Sequence, residues 1–152
     1  MKLPYSEGTV FLVPLRNDGY ARGVVARSSG LGKVLLGYFF GPRLLSANDI
    51  AVRDLDPANA ILRVRFGDLG LITGEWPIRG RIPNWDRLQW PMPDFVRKDL
   101  LGRRKPLIVR YSDTDPSHIV SETPITDDTT LTADSMSGYG AVEIRLTKLL
   151  SA

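Results

Sequence analysis

The sequence predicts an α+β fold: a curved, mainly antiparallel sheet of six or seven strands, with a few short helices. Three apolar segments near the N-terminus, separated by turn sequences, favour this class. Residues 9–15 form a continuous apolar run, as expected for a strand buried on both faces. Residues 20–27 and 33–40 follow after Asn17-Asp18-Gly19 and residues 28–32, which are rich in residue types that tolerate the positive φ of tight turns. The fold is therefore predicted to begin with a three-stranded meander.

Further strands are predicted by the alternation of apolar and polar residues. Arg63 and Arg65 alternate with apolar residues across positions 62–66, and we expect both arginines to face solvent. Residues 107–111 and 118–122 lie on either side of the turn sequence Asp-Thr-Asp-Pro. These two segments are therefore predicted to form a hairpin.

Helices are predicted to be few and short. Asp68 and Gly74 bracket a brief helical turn, with the aspartate as the predicted cap. Residues 141–150 are ambiguous, because their apolar side chains alternate as in a strand while helix-forming residues fill the segment. We favour a strand for this segment, and a C-terminal helix remains the alternative.

The composition places the whole chain, residues 1–152, in one globular domain. Its length suffices to bury a core, and 43% hydrophobic with 24% charged residues argues against disorder. The absence of cysteine excludes disulfides, thiolate catalysis and cysteine-ligated zinc. The apolar run at 9–15 is too short to span a membrane and follows Glu7 rather than a basic segment. We therefore expect no secretory signal and a cytoplasmic location.

The charge is distributed unevenly along the chain. Residues 1–111 contain 18 Lys and Arg against 10 Asp and Glu, whereas residues 112–152 contain 2 against 7. The formal net charge of +3 therefore conceals a basic body and an acidic C-terminal segment. We expect the acidic segment to fold back over the basic body, which would leave only a modest field for steering partners.

Catalytic and metal-binding chemistry finds little support. Asp113, Asp115 and His118 lie close enough in sequence to suggest metal ligands, but Asp-Thr-Asp-Pro is also an ordinary turn composition. His118 is the only histidine, and no Gly-x-Ser-x-Gly sequence supplies a nucleophile for it to activate. We therefore predict that the protein is not an enzyme and uses no metal or other cofactor.

Two segments are candidates for binding a partner. The first is a predicted exposed loop at 91–105, which follows Trp85 and Trp90 and contains a basic cluster of Arg97, Lys98, Arg103, Arg104 and Lys105. Basic residues beside aromatic ones can bind single-stranded nucleic acid, although a solvated loop anchored by core tryptophans is the favoured interpretation. The second is the acidic C-terminal third, in which residues 123–138 are predicted to be a loop.

Two motifs resemble the Immunity protein 26 family. The first is a glycine, an apolar strand ending in Pro-Leu, and a Gly-Tyr-Ala-x-Gly-x-Val arm, present here as Gly8, Pro14, Leu15, Gly19, Tyr20, Ala21, Gly23 and Val25. The second is Gly-x-Trp-Pro-Ile-x-Gly-x-Ile-Pro, present as Gly74, Trp76, Pro77, Ile78, Gly80, Ile82 and Pro83. The resemblance covers roughly the first ninety residues, and both motifs describe strands, turns and a packed tryptophan rather than chemistry.

The resemblance implies an immunity protein of a bacterial polymorphic toxin system, which neutralises a cognate toxin domain by binding it in the cytoplasm. The sequence pI of about 9.4 favours a toxin with an acidic or neutral site. For a nuclease toxin, the acidic C-terminal third would instead be the docking surface. The candidate contact residues are Trp85, Trp90, Arg97, Arg103, Arg104, Asp113, Asp115, Asp127 and Asp128. The protein is expected to be a monomer or a homodimer, and nucleic-acid binding through the 97–105 loop is the alternative function.

Overall fold

The computed structural model describes residues 2–48, 55–99, 101–125 and 132–151. Within these ranges the chain forms ten strands and two α-helices. The strands are β1 (Thr9–Pro14), β2 (Tyr20–Ser28), β3 (Val34–Leu44), β4 (Leu62–Gly67), β5 (Ile78–Arg81), β6 (Phe95–Arg97), β7 (Leu107–Tyr111), β8 (Ile119–Pro124), β9 (Thr132–Ala133) and β10 (Met136–Ser137). The helices are α1 (Leu69–Thr73) and α2 (Tyr139–Leu149). Neither helix is long and apolar enough to cross a bilayer.

The strands form two sheets. The larger has six strands in the order β10-β4-β3-β2-β1-β5, and the smaller has four in the order β8-β7-β6-β9. The predicted meander β1-β2-β3 and the predicted hairpin β7-β8 are both antiparallel, as the turn sequences indicate. The predicted class is confirmed, and the six-stranded sheet matches the predicted size. The second sheet adds to the prediction, because it includes β6 and β9 from segments that were expected to be loops.

The six-stranded sheet is covered on both faces. Successive side chains of a strand point to opposite faces, so Phe11 joins one apolar cluster and Val10 joins the other. The first cluster contains Trp76 and the buried face of α2, and the second contains Trp90 and the inner side of the smaller sheet. The larger sheet is thus the middle layer between the helices and the smaller sheet.

Two glycines of the central strands allow aromatic rings to lie directly on the backbone. A Cβ atom at Gly23 would lie 2.4 Å from Cζ of Phe11, and one at Gly37 would lie 2.6 Å from Cε1 of Phe66. Both rings are fully buried, so neither has room to move away. Gly23 belongs to the first of the two sequence motifs, and its role is therefore to admit a core side chain.

The favoured strand at residues 141–150 is wrong, because this segment is the helix α2. Val142 and Leu146, four residues apart, lie on one face of the helix and are fully buried in the first core cluster. Ile144, which a strand would have placed on the same side as these two residues, is 51% exposed. The alternation was compatible with both periods, and packing against the larger sheet selects the helix.

Arg65 was expected to face solvent, and the structure places it in the interior. It is only 8% exposed, because the smaller sheet covers that face of β4. Its guanidinium carbon lies 3.8 Å from the centre of the Tyr111 ring, a distance typical of a cation–π contact. The prediction failed because period-two alternation marks two faces but does not reveal that the polar one is covered.

The brief helix after Asp68 is confirmed, although its predicted cap is not. Gly74 ends α1 with a φ of 82°, the left-handed conformation that favours glycine at this position. The Asp68 carboxylate makes no capping bond and instead accepts hydrogen bonds from Tyr5 Oη at 2.7 Å and from the Lys33 backbone N–H at 3.0 Å. It therefore ties the N-terminal segment to the β2-β3 turn.

Candidate partner-binding surface

Asp134, between β9 and β10, is the centre of a buried polar cluster. Its side chain is 5% exposed and accepts hydrogen bonds from Tyr111 Oη at 2.6 Å and from Arg65 Nη2 at 3.2 Å. Arg97 donates two more, from Nε at 3.0 Å and from Nη2 at 2.9 Å. Burial and the bond to Asp134 both raise the pKa of Tyr111, and the same carboxylate raises the pKa of Arg97. We call Asp134, Arg65, Arg97 and Tyr111 the Asp134 cluster.

Asp113 organises a second charged cluster, at the β7-β8 turn. Its Oδ1 accepts from Arg27 Nε at 2.8 Å, and its Oδ2 accepts from Arg87 Nη1 at 2.7 Å. Arg87 also donates to Glu7, from Nε at 2.9 Å. The Arg27 hydrogen bond is the main cause that lowers the pKa of Asp113. This cluster joins the tip of the β7-β8 hairpin to the six-stranded sheet, because Arg27 belongs to β2.

Replacing Asp113 with alanine is expected to lower the free energy of unfolding by about 1–2 kcal/mol, the cost of losing a charge-assisted hydrogen bond to a buried group. Arg27 keeps its bonds to the carbonyl oxygens of Ala26 and Arg87, and Asp113 is 55% exposed, so the loss stays moderate. Urea denaturation of the native protein and of D113A measures the difference in the free energy of unfolding.

The difference in free energy of unfolding between the native protein and D113A should depend on pH in a defined direction. Because folding lowers the pKa of Asp113 below its ordinary value of 3.8, the stabilisation is present above that pH. It disappears as the pH falls through the folded pKa. The difference between the native protein and D113A should therefore shrink with acidification, and a constant difference would contradict this role of the carboxylate.

Most of the described acidic residues of the C-terminal segment bind arginines of the preceding chain. Besides Asp113 and Asp134, Glu143 of α2 accepts a hydrogen bond from Arg16 Nε at 3.1 Å. Asp115 bonds within its own turn, accepting from the Ser117 backbone N–H at 3.0 Å. This arrangement agrees with the expectation that the acidic segment folds back over the basic body. Asp127 and Asp128, also predicted to contact a partner, lie outside the described residues.

Trp85 and Trp90 anchor the segment before β6 in the core. Trp90 is 2% exposed, and its ring centre lies 5.2 Å from that of Tyr38. Trp85 packs on Trp90 with ring centres 5.4 Å apart. Phe95 at the start of β6 is fully buried. These three aromatic residues, which come before the basic cluster, are therefore occupied by core contacts. The ring faces of Trp90 and Phe95 are not available for stacking on nucleic-acid bases.

The cations of the 97–105 loop, which we call the basic loop, border a cavity of about 420 Å³ at the end of the smaller sheet. We call it the basic pocket, and its lining comprises the cations Arg97, Lys98, Arg103, Arg104 and Lys105, the carboxylates Asp99 and Glu122, and the leucines Leu101 and Leu107. The structure thus brings together the three predicted arginines Arg97, Arg103 and Arg104. It buries Trp90 in the core, packs the partly buried Trp85 against it, and places Asp113 in the other charged cluster.

Fold and surface together define a β-rich α+β protein with a preformed charged pocket. Residues 6–107, about two thirds of the chain, match the family model of Immunity protein 26, and the chain belongs to this family. The matched segment runs from before β1 to the first residue of β7 and includes the basic loop. Neither the curated protein sequences nor the solved structures searched gave a significant match to this chain.

The second sequence motif now has a structural explanation. Trp76 is fully buried against Phe11 and donates its indole N–H to Glu143 at 2.8 Å, while the Pro77 carbonyl accepts the Leu12 N–H at 2.9 Å. Ile78 begins β5, the edge strand beside β1. The motif therefore attaches this edge of the larger sheet to the core and to α2, and it contributes no side chain to the basic pocket.

Several residues that shape the surface were not singled out from the sequence. Asp134 binds distant parts of the chain, and Asp99 binds backbone N–H groups of its own loop. The Asp-x-Leu-Gly turn composition after position 98 offered a local signal for Asp99. The importance of Asp134 depends on contacts with residues 23 to 69 positions away, which no local pattern reveals.

Proposed function

We propose that this chain is an immunity protein that neutralises a cognate bacterial polymorphic toxin by direct protein–protein binding, without catalysis or a cofactor. Membership of the Immunity protein 26 family is the observation that carries the proposal. The proposed setting is the cytoplasm of the toxin-producing cell, where one folded domain spanning residues 1–152 binds the toxin. Among the described residues no three His, Asp or Glu side chains are grouped to hold a metal ion.

The charged surface supports a binding role. Arginine is favoured at interface hot spots because it combines a planar hydrogen-bonding fork with a long apolar stem. The basic pocket presents three arginines beside two leucines. A nucleic-acid-binding module is the alternative, and the burial of Trp90 and Phe95 counts against it because single-strand binding relies on exposed aromatic rings.

Co-expression with the toxin domain encoded beside this gene tests the proposal. We expect the native chain to restore growth and to co-purify with the toxin in a fixed ratio, because a stoichiometric inhibitor must remain bound. A catalytically inactive toxin variant is the control that separates binding from relief of toxicity. Growth arrest despite soluble expression of this chain, together with the absence of co-purification, would refute the proposed function. Sedimentation of the free chain would decide between a monomer and a homodimer.

A further inference from the structure

Charge in the basic pocket is unbalanced, because five cations and two carboxylates line it, and both carboxylates already accept hydrogen bonds. Glu122 accepts from Arg97 Nη1 at 3.0 Å, and Arg97 also binds Asp134. Asp99 accepts two backbone N–H groups of its own loop. Arg103, Arg104 and Lys105 are exposed, and in the part of the chain that the structure describes their side chains have no ion-pair partner.

The described residues of the loop that carries these cations are joined by hydrogen bonds to Asp99. Asp99 Oδ1 accepts from the Leu101 N–H at 3.1 Å, and Oδ2 accepts from the Arg103 N–H at 3.0 Å. The Asp99 carbonyl accepts from the Gly102 N–H at 2.9 Å, and Gly102 has a φ of 67°. Such hydrogen bonds restrain the backbone at Leu101 and Arg103, which reduces the backbone entropy lost when a partner binds.

The pocket also offers apolar contact. Leu101 is 70% exposed at its rim, and the half-buried Leu107 lies within it. Among the residues that the structure describes, no aromatic side chain lines the cavity. A phosphate backbone would gain little from two leucines, whereas a protein loop can place an apolar side chain between them and its carboxylates on the arginines. The mixture of cations and leucines therefore favours a protein partner over a nucleic acid.

We infer that the basic pocket binds a carboxylate-rich loop of the toxin, with Arg103 and Arg104 pairing its Asp or Glu side chains and Leu101 contacting an apolar residue beside them. This assignment rests on the proposed function and adds the contact surface and the chemistry of the partner. It also differs from the docking of an acidic surface on a basic nuclease, because Asp113 and Asp134 are bound to arginines of this chain.

Charge reversal tests the arginines. The variant R103E/R104E and the control K2E/R79E make the same change in net charge, and both control residues are exposed and lie outside the pocket. We expect R103E/R104E to weaken toxin binding at least about tenfold and to flatten its salt dependence, and K2E/R79E to stay within about threefold of native affinity. Circular dichroism of each variant would verify that the fold is retained.

Leu101→Ser tests the apolar contact separately. We expect a severalfold loss of affinity with the native salt dependence preserved, because no charge changes. Native affinity in both R103E/R104E and Leu101→Ser would overturn the assigned surface while leaving the proposed function intact. If the native chain fails to bind the toxin at all, the proposed function itself fails. Retention of nucleic acid that is lost in R103E/R104E, without toxin binding, would overturn the assignment in favour of a nucleic-acid site.

Discussion

Replacing Asp134 with alanine is expected to destabilise the protein by about 3–5 kcal/mol, the cost of removing one partner from a buried ion pair. The carboxylate accepts four hydrogen bonds from three side chains. Its removal would leave the charge of Arg65 buried between the sheets, because the carbonyl of Pro116 at 3.3 Å would be the one hydrogen-bond acceptor left among the described residues. It would also remove two of the three hydrogen bonds of Arg97, which lines the basic pocket, and leave the bond to Glu122.

The matched control is Asp94→Ala, which removes a carboxylate that also binds an arginine but lies at the surface. Asp94 and its partner Arg110 are 39% and 46% exposed, so this change should cost about 1 kcal/mol or less. Urea denaturation monitored by tryptophan fluorescence would compare the two variants with the native protein. Equal stability of Asp134→Ala and Asp94→Ala would contradict the structural role assigned to Asp134.

Trp76→Ala is expected to cost about 3–5 kcal/mol, as is typical when a fully buried aromatic side chain is truncated. The indole lies 5.5 Å from the Phe11 ring and 5.6 Å from the Phe66 ring, measured between ring centres, and both pairs are stacked. Truncation would open a cavity at the centre of the first core cluster. It would also remove the indole N–H that donates a hydrogen bond to Glu143, a residue that is 8% exposed.

Two variants separate these effects. Trp76→Phe keeps most of the ring volume and removes the N–H, so we expect about half of the alanine cost, most of it from the unpaired Glu143 oxygen. Leu88→Ala is the surface control, because Leu88 is 80% exposed and such changes stay within about 0.5 kcal/mol. Thermal unfolding would rank the three variants. A loss in Trp76→Phe as large as that in Trp76→Ala would assign the whole effect to the hydrogen bond.

The sequence predicted those parts of the fold that depend on neighbouring residues. Turns at Asn17-Asp18-Gly19 and Asp-Thr-Asp-Pro specify antiparallel pairings between consecutive strands, and these pairings are observed. The short strands β9 and β10 escaped prediction because each has two residues and pairs in parallel with a distant strand. β9 pairs with β6 in the smaller sheet, and β10 pairs with β4 in the larger sheet, as in Met136 with Arg65. Two residues are too few to show a period, and parallel pairing has no turn to mark it.

The proposed binding surface was predictable to a smaller extent. The basic cluster at 97–105 is visible as composition, and the structure gathers its cations around one cavity. The acidic C-terminal residues were equally good candidates for contacting a partner. A sequence shows that a carboxylate is present, but it does not show whether an arginine of the same chain already binds it. Asp113 and Asp134 are occupied in this way. Which charges remain for a partner is decided by long-range pairing.

In the turn at Asp99, the hydrogen bonds that restrain the backbone do not depend on which side chains are exposed there. Asp99 holds the turn through backbone N–H groups of residues 101 and 103, which every amino acid except proline supplies. Substitutions of Leu101, Arg103 or Arg104 should therefore change the free energy of unfolding little, because these side chains are exposed and the Asp99 carboxylate does not bind them. In the proposed complex, recognition could thus be changed at these positions while the backbone of the turn stays constant, and a toxin that alters its loop could be matched by point substitutions here.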